Sequence, residues 1–185
     1  PALFMNDYQG ESGKLDSLRD LLSQIGEANR RVLIFSQFRG MLDRIEQELP
    51  HIGLTSFKIT GSTPSQDRQE MTKAFNQGER DVFLISLKAG GVGLNLTGAD
   101  TVILVDLWWN PAVESQAIGR AHRMGQEQAV EVYRLVTRGT IEEKIQELQE
   151  QKKNLVSEVL DGTESRGSLT LAEIQEILGI SEAKT

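Results

Sequence analysis

The stretch Val32-Leu33-Ile34-Phe35-Ser36-Gln37-Phe38 decides the architecture of this chain. An unbroken apolar run ending abruptly in Ser-Gln reads as a strand buried on both faces with a polar C-terminal end; a half-solvated strand would alternate instead. Helical spacing flanks it. Leu15, Leu18, Leu21, Leu22 and Ile25 share one helix face that ends at Gly26, and Met41, Leu42, Ile45 and Leu49 share another that Pro50 stops.

The same rhythm continues outward. A strand is expected over Thr55 to Ile59, a helix capped by Ser65 runs to Gly78, and strands follow at Val82 to Ser86 and Thr101 to Asp106. Asn110-Pro111 pairs an N-cap with a first-turn proline and opens a helix carrying Arg120 and Arg123. Val130 to Val136 reads as the last strand, and Thr140-Ile141-Glu142-Glu143 is a capping box opening a long helix to about Leu160. Strands separated by helices imply an α/β, doubly wound, mainly parallel sheet, with ligands at the C-terminal strand ends. Residues 1–160 are read as one domain including that last helix, and 161–185 as a flexible loop and short helical tail.

Composition narrows the class. There is no cysteine, which excludes disulfides and cysteine-ligated zinc and favours a reducing compartment, and His51 and His122 are too few for a metal cluster. No apolar run is long enough for a membrane span, so no membrane partner is expected. The net charge of −7 argues against nucleic acid in general, but much of the acid lies in the C-terminal third, whereas strand-end loops carry Arg39, Lys58, Lys88, Arg120 and Arg123. A locally positive face on an acidic body is expected. The opening Pro1-Ala2-Leu3-Phe4 lacks an initiator methionine and reads as the start of a fragment.

Gln116-Ala-Ile-Gly-Arg-Ala-His-Arg-Met-Gly-Gln126 carries the chemistry. Arginines three apart are neighbours on a helix, and each guanidinium presents a fork of donors that matches phosphate oxygens. That fits a pair of arginine fingers at a nucleotide γ-phosphate, or a solvated basic face. Lys88-Ala89-Gly90-Gly91-Val92-Gly93-Leu94-Asn95 is a glycine-rich loop after a strand, which suits either close approach of backbone amides to phosphate or a simple tight turn. Ser36 and Gln37 end a buried strand, as phosphate contacts or as a strand-end cap. Trp108 and Trp109, adjacent and pointing to opposite sides, place one ring in the core and leave the other at the surface, or pack both under the last helix.

Gln116 to Gln126, preceded by Asp106-Leu107-Trp108-Trp109-Asn110-Pro111, resembles the last helicase motif of the SWI/SNF-type DNA translocase family of superfamily two. Three further blocks agree in order: Val32 to Phe38, then Gly61-Ser62-Thr63 with Arg68 and Phe75-Asn76, then Ser86 through Asp100. The resemblance implies a C-terminal RecA-like lobe that grips duplex DNA and closes on ATP. It makes Arg120 and Arg123 catalytic and puts Gly93, Asn95 and, in support, Gln116 at the nucleotide. It turns Ser36, Gln37, Lys58, Ser62, Lys88, Ala89, Gly90 and Trp109 toward DNA, with Arg68 structural. Leu87 stands where eukaryotic relatives commonly have threonine, and Thr60 where many have aspartate; Leu87 and the Trp108-Trp109 pair lean toward a bacterial, nucleoid-associated cytoplasmic protein, with a nuclear one as the alternative.

ATP turnover also needs a P-loop lysine and acidic groups for Mg2+. Gly10-Glu11-Ser12-Gly13-Lys14 imitates the end of a P-loop but has Tyr8 at the first glycine position and Leu15 where Ser or Thr belongs. Val102 to Asp106 imitates a magnesium-binding strand without the following glutamate. ATP with Mg2+ is therefore expected to bind against an N-terminal RecA-like lobe of the same polypeptide, which supplies the metal ligands, and the isolated chain is expected to be inactive. A DNA-bound protein is a further partner. The alternatives are a lobe of a strand-separating helicase and a non-catalytic module that binds DNA or a partner.

Overall fold

The computed structural model describes residues 13–160 except 88, 90–93, 109–110 and 122–128, with 111 and 152–160 described by backbone alone. Helix α1 (Gly13–Glu27) leads into strand β1 (Val32–Ser36), helix α2 (Arg39–Glu48) and a 3-10 turn at Leu49–Ile52. Strand β2 (Ser56–Ile59), helix α3 (Ser65–Asn76), and strands β3 (Val82–Ser86) and β4 (Thr101–Leu104) follow. Helix α4 (Pro111–Ile118), strand β5 (Glu131–Arg134) and helix α5 (Ile141–Leu160) complete the order.

The five strands among the described residues form one sheet in the order β2-β3-β1-β4-β5, every pair parallel. Central β1 shows why the apolar run is continuous: Leu33 and Phe35 pack on one face, Val32 and Ile34 on the other, and all four are buried. Helices α1 and α2 cover the second face through Leu18, Leu22, Ile25, Leu42 and Ile45. Helices α3 and α4 cover the first through Phe75, Ala117 and the adjoining Ala121. The β1-to-β2 crossover runs one way along the sheet and those from β2 to β3 and from β4 to β5 the other, so a constant crossover hand puts α2 opposite α3 and α4. The doubly wound expectation holds.

Three local expectations change. Pro64, not Ser65, occupies the cap position of α3, and no side chain caps it; its restricted backbone turns the chain there, and Ser65 begins the helix. Helix α4 stops at Ile118, because Arg120 and Ala121 N–H bond back to the Ala117 and Ile118 carbonyls at 3.2 and 3.1 Å, a tightened i to i−3 pattern. Arg120 therefore lies in the turn after α4 and not on its face. Pro50 sits inside a 3-10 turn that Gly53 closes at φ 74°, a conformation glycine adopts without strain.

Thr140 and Glu143 cap α5 as expected, but both of their bonds are shifted by one residue from a standard capping box. Thr140 Oγ1 accepts Glu142 N–H at 3.2 Å, while the Glu143 carboxylate reaches past the cap to Gly139 N–H at 2.7 Å. No helix among the described residues is long and apolar enough to cross a membrane.

Candidate functional site

A parallel sheet brings all its C-terminal strand ends to one edge. At that edge Ser36 is wholly buried, its hydroxyl donating to the Asp106 carboxylate, which also accepts Gln37 N–H at 3.0 Å. Phe38 N–H in turn donates to Ser36 Oγ at 3.1 Å. Burial pushes the Asp106 carboxyl above the usual range, while the bonds from Ser36 and Gln37 pull the other way. Ser36 is thus turned inward to shape the strand-end loop, and Gln37 and the exposed Phe38 occupy the surface it creates. A direct phosphate contact by Ser36 would require its hydroxyl to leave the Asp106 carboxylate.

The neighbouring turn after β2 is held from below. Arg68 donates from Nε to Thr63 O at 2.7 Å and from Nη2 to Gly61 O at 3.1 Å, the structural role expected of it. Ser62 stays exposed, with its hydroxyl 3.0 Å from that of Thr60. Lys58 bonds Asp43 at 2.8 Å and also Glu46, two carboxylates of α2. Burial lowers its pKa, but those two bonds outweigh burial and the net shift is upward, so Lys58 stays charged. Ala89 is buried and donates its N–H to Ser86 O at 2.8 Å, so that amide is already used.

The described nucleotide-assigned residues, Asn95, Gln116 and Arg120, lie elsewhere. Helix α3 runs back from the end of β2 to the start of β3, which carries Asn76 toward the opposite end of the sheet. There Asn76 Nδ2 donates to Asn95 O at 2.8 Å and its Oδ1 accepts Gly98 N–H at 2.9 Å. Arg31, just before β1, closes the far side by donating to Gly98 O at 3.0 Å and to Phe75 O, with its guanidinium 4.0 Å from the Phe75 ring centre. Leu96 N–H donates to Arg120 O at 3.1 Å, so the segment after the glycine loop and the turn after α4 lie side by side. Arg120 is 6 % exposed and Gln116 is exposed on α4. The described residues assigned to DNA and those assigned to nucleotide thus fall in two groups, because the chain between β3 and β4 travels the length of the sheet.

Lys88, Gly90, Gly93, Trp109 and Arg123 lie outside the described residues. Among the described residues no cluster of three or more His, Asp or Glu is placed to hold a metal. Asp106 is committed to Ser36 and Gln37, and Lys14, the false P-loop lysine, donates to Val105 O at 2.9 Å and to Glu142 at 2.5 Å. The described residues do not fit a magnesium site.

The model of the helicase conserved C-terminal domain matches residues 13–125. The chain belongs to that family. Chromatin-remodeling ATPase INO80 of Aspergillus oryzae is 43 % identical over 164 residues, 88 % of this chain and 11 % of that protein. Its counterpart in Debaryomyces hansenii is 43 % identical over 159 residues, covering 85 % and 12 %. The solved C-terminal part of the Fun30 ATPase domain superposes with a TM-score of 0.72 at 36 % identity, covering 91 % of this chain and 50 % of that one. This chain thus spans about a tenth of the length of those curated relatives.

As a member of the helicase C-terminal family the chain is a RecA-like lobe of the SWI/SNF type, as the four motif blocks implied. The bacterial leaning drawn from Leu87 and the tryptophan pair finds no support in these fungal relatives. Sequence reading also missed what this helicase lobe builds around Glu114. That buried carboxylate joins Trp108, Arg134 and Gln149, partners 6, 20 and 35 positions away, and no local pattern announces pairs so distant.

Proposed function

We propose that this chain is the second motor lobe of an ATP-dependent translocase on double-stranded DNA. An N-terminal lobe of the same polypeptide would contribute the P-loop and the Mg2+ ligands. The observation that carries this reading is the separation of the two residue groups. Gln37, Ser62 and the start of the glycine loop follow C-terminal strand ends, whereas Asn95 and the Arg120 turn meet toward the other end of the sheet. A lobe so arranged can hold a DNA backbone with one surface and a nucleotide with another, which is what coupling hydrolysis to stepping requires.

In this reading Arg120 and Arg123 stabilise charge on the transferring phosphoryl group, and Gly93, Asn95 and Gln116 line the nucleotide side. Gln37, Ser62, Lys88, Gly90 and Trp109 contact DNA. Lys58 joins them only by giving up part of its pairing with α2. Ser36 and Ala89 act from beneath, by holding the strand-end loops. The lobe and its brace α5 form one domain over 1–160, with 161–185 as a tail. The substrate class is duplex DNA carrying a bound protein, and the names of the relatives favour chromatin and hence the nucleus.

ATP turnover of the two-lobe parent, with and without duplex DNA, tests this. DNA-stimulated turnover that disappears in Arg120→Ala supports the motor reading. Absence of turnover from a folded parent would favour a binding module instead.

A further inference from the structure

A second polar cluster lies beneath Trp108, outside every group assigned above. Glu114 on α4 and Gln149 on α5 are each 3 % exposed. A carboxylate so deeply buried is tolerated only when its oxygens are bonded. Glu114 Oε1 accepts Trp108 N–H at 3.1 Å and Gln149 Nε2 at 2.7 Å, and Oε2 accepts Arg134 Nε at 3.2 Å. The Gln149 amide also donates to the Trp108 carbonyl. Both backbone polar groups of Trp108 therefore end on this pair, beyond the point where β4 stops pairing at Leu104.

The pair also depends on α5. Glu142, Ile145 and Gln149 recur at i, i+3 and i+7 and share one helix face. Ile145 is buried at 5 % exposure, Glu142 bonds Lys14 of α1, and Gln149 enters the clamp. Two of those three anchors are polar, so docking of α5 rests on directional bonds as well as apolar contact. The chain reaches the Trp108 backbone from an element 41 positions away, which is a long reach for a residue with a merely local duty.

We infer that Glu114 and Gln149 are positioning residues, a clamp through which the docking of α5 sets the backbone at Trp108 and the entry to α4. The clamp stands on the bonds just described; its consequence for DNA, through the adjoining Trp109, rests on the motor-lobe reading.

The chain has two tryptophans and they are adjacent, so tryptophan emission, excited selectively over the two tyrosines, reports on this position alone. Gln149→Glu keeps the side-chain shape but places an acceptor against the Glu114 carboxylate and the Trp108 carbonyl. We expect its emission to shift to longer wavelength and acrylamide quenching to rise, with the far-ultraviolet circular dichroism unchanged. In the native chain, the Trp108 amide should exchange its hydrogen in step with the amides of α5, and about tenfold faster or more in Gln149→Glu.

Emission unchanged in Gln149→Glu, or a native Trp108 amide that opens independently of α5, overturns the clamp. The exchange comparison on the native chain decides the matter even if the variant fails to fold. Neither measurement uses nucleotide or DNA, so failure of the motor reading leaves this result standing, and failure of the clamp leaves the motor reading untouched.

Discussion

Asp106 carries a carboxyl raised by burial, and the sign of its effect on stability follows from that direction. A folded-state pKa above the unfolded one means the native chain binds more protons in the interval between them. Its contribution is complete below the unfolded carboxylate pKa of about 4 and is lost as pH rises through the folded value. Asp106→Asn keeps an acceptor for Ser36 and Gln37 without the buried charge, so the fall in melting temperature above about pH 4 that belongs to this group should vanish in the variant. Thermal melts of both proteins across a pH series check it. At Gly98 the argument is steric. An added Cβ would lie 2.8 Å from Arg31 Nη1 and 2.9 Å from the Asn76 backbone Cα. Arg31 is itself held by Gly98 O and Phe75 O, and burial lowers its pKa, so little there can give way. Gly98→Ala should cost about 1–3 kcal/mol, read as a lower urea midpoint. Arg120→Ala or Arg123→Ala in the two-lobe parent should lower turnover by about 10³ or more while nucleotide affinity stays near that of the native protein, since a finger acts in the transition state. Unchanged turnover in both variants would remove the assignment. Because Arg120 is buried, a melting curve of the variant belongs beside its kinetics.

Among elements, the tie between α2 and β2 separates two roles for one residue. Lys58 is a quarter exposed and pairs with Asp43 and Glu46, whose own side chains are 51 % and 41 % exposed. Pairs open to solvent on one side contribute about 1 kcal/mol or less, so Lys58→Ala should change stability by no more than that. If Lys58 also touches a DNA phosphate, the slope of log affinity against log salt should become shallower by about one. An unchanged slope would leave Lys58 as a purely internal tie. Helix α5 begins on the Thr140 hydroxyl, which accepts from Glu142 N–H. Thr140→Ala should weaken the first turn by about 1 kcal/mol, visible as faster hydrogen exchange in α5 with the sheet amides unaffected. The elements themselves were legible because each is a run of one period. β1 and β3 are continuous apolar stretches, and α1 and α2 show their stripes. What failed was at the ends. Pro64 displaced Ser65 as the cap, and α4 stopped before Arg120, because helix ends answer to a few bonds that a periodic pattern does not encode.

For the whole molecule, the chain belongs to the helicase C-terminal family and spans about a tenth of the length of curated relatives named as ATPases, so under the motor reading proposed above a test of turnover needs the second lobe. The chain alone should show no ATP turnover, and joining it to its N-terminal lobe should produce turnover that duplex DNA stimulates; turnover by the separate chain would sink the two-lobe reading. The parallel α/β sheet and the family are written in the chain itself, because burial on both faces of a strand demands unbroken apolar runs and the four motif blocks are local words. Which residues work together emerges from packing alone. Ser36 met Asp106 across 70 positions and turned inward, the Lys14 of a false P-loop was taken up by Val105 and Glu142, and Gln149 came back to hold Trp108. Composition and spacing report on neighbours along the chain, whereas a buried charge or amide must find its partner wherever the packed sheet delivers one, and that is settled by the fold as a whole.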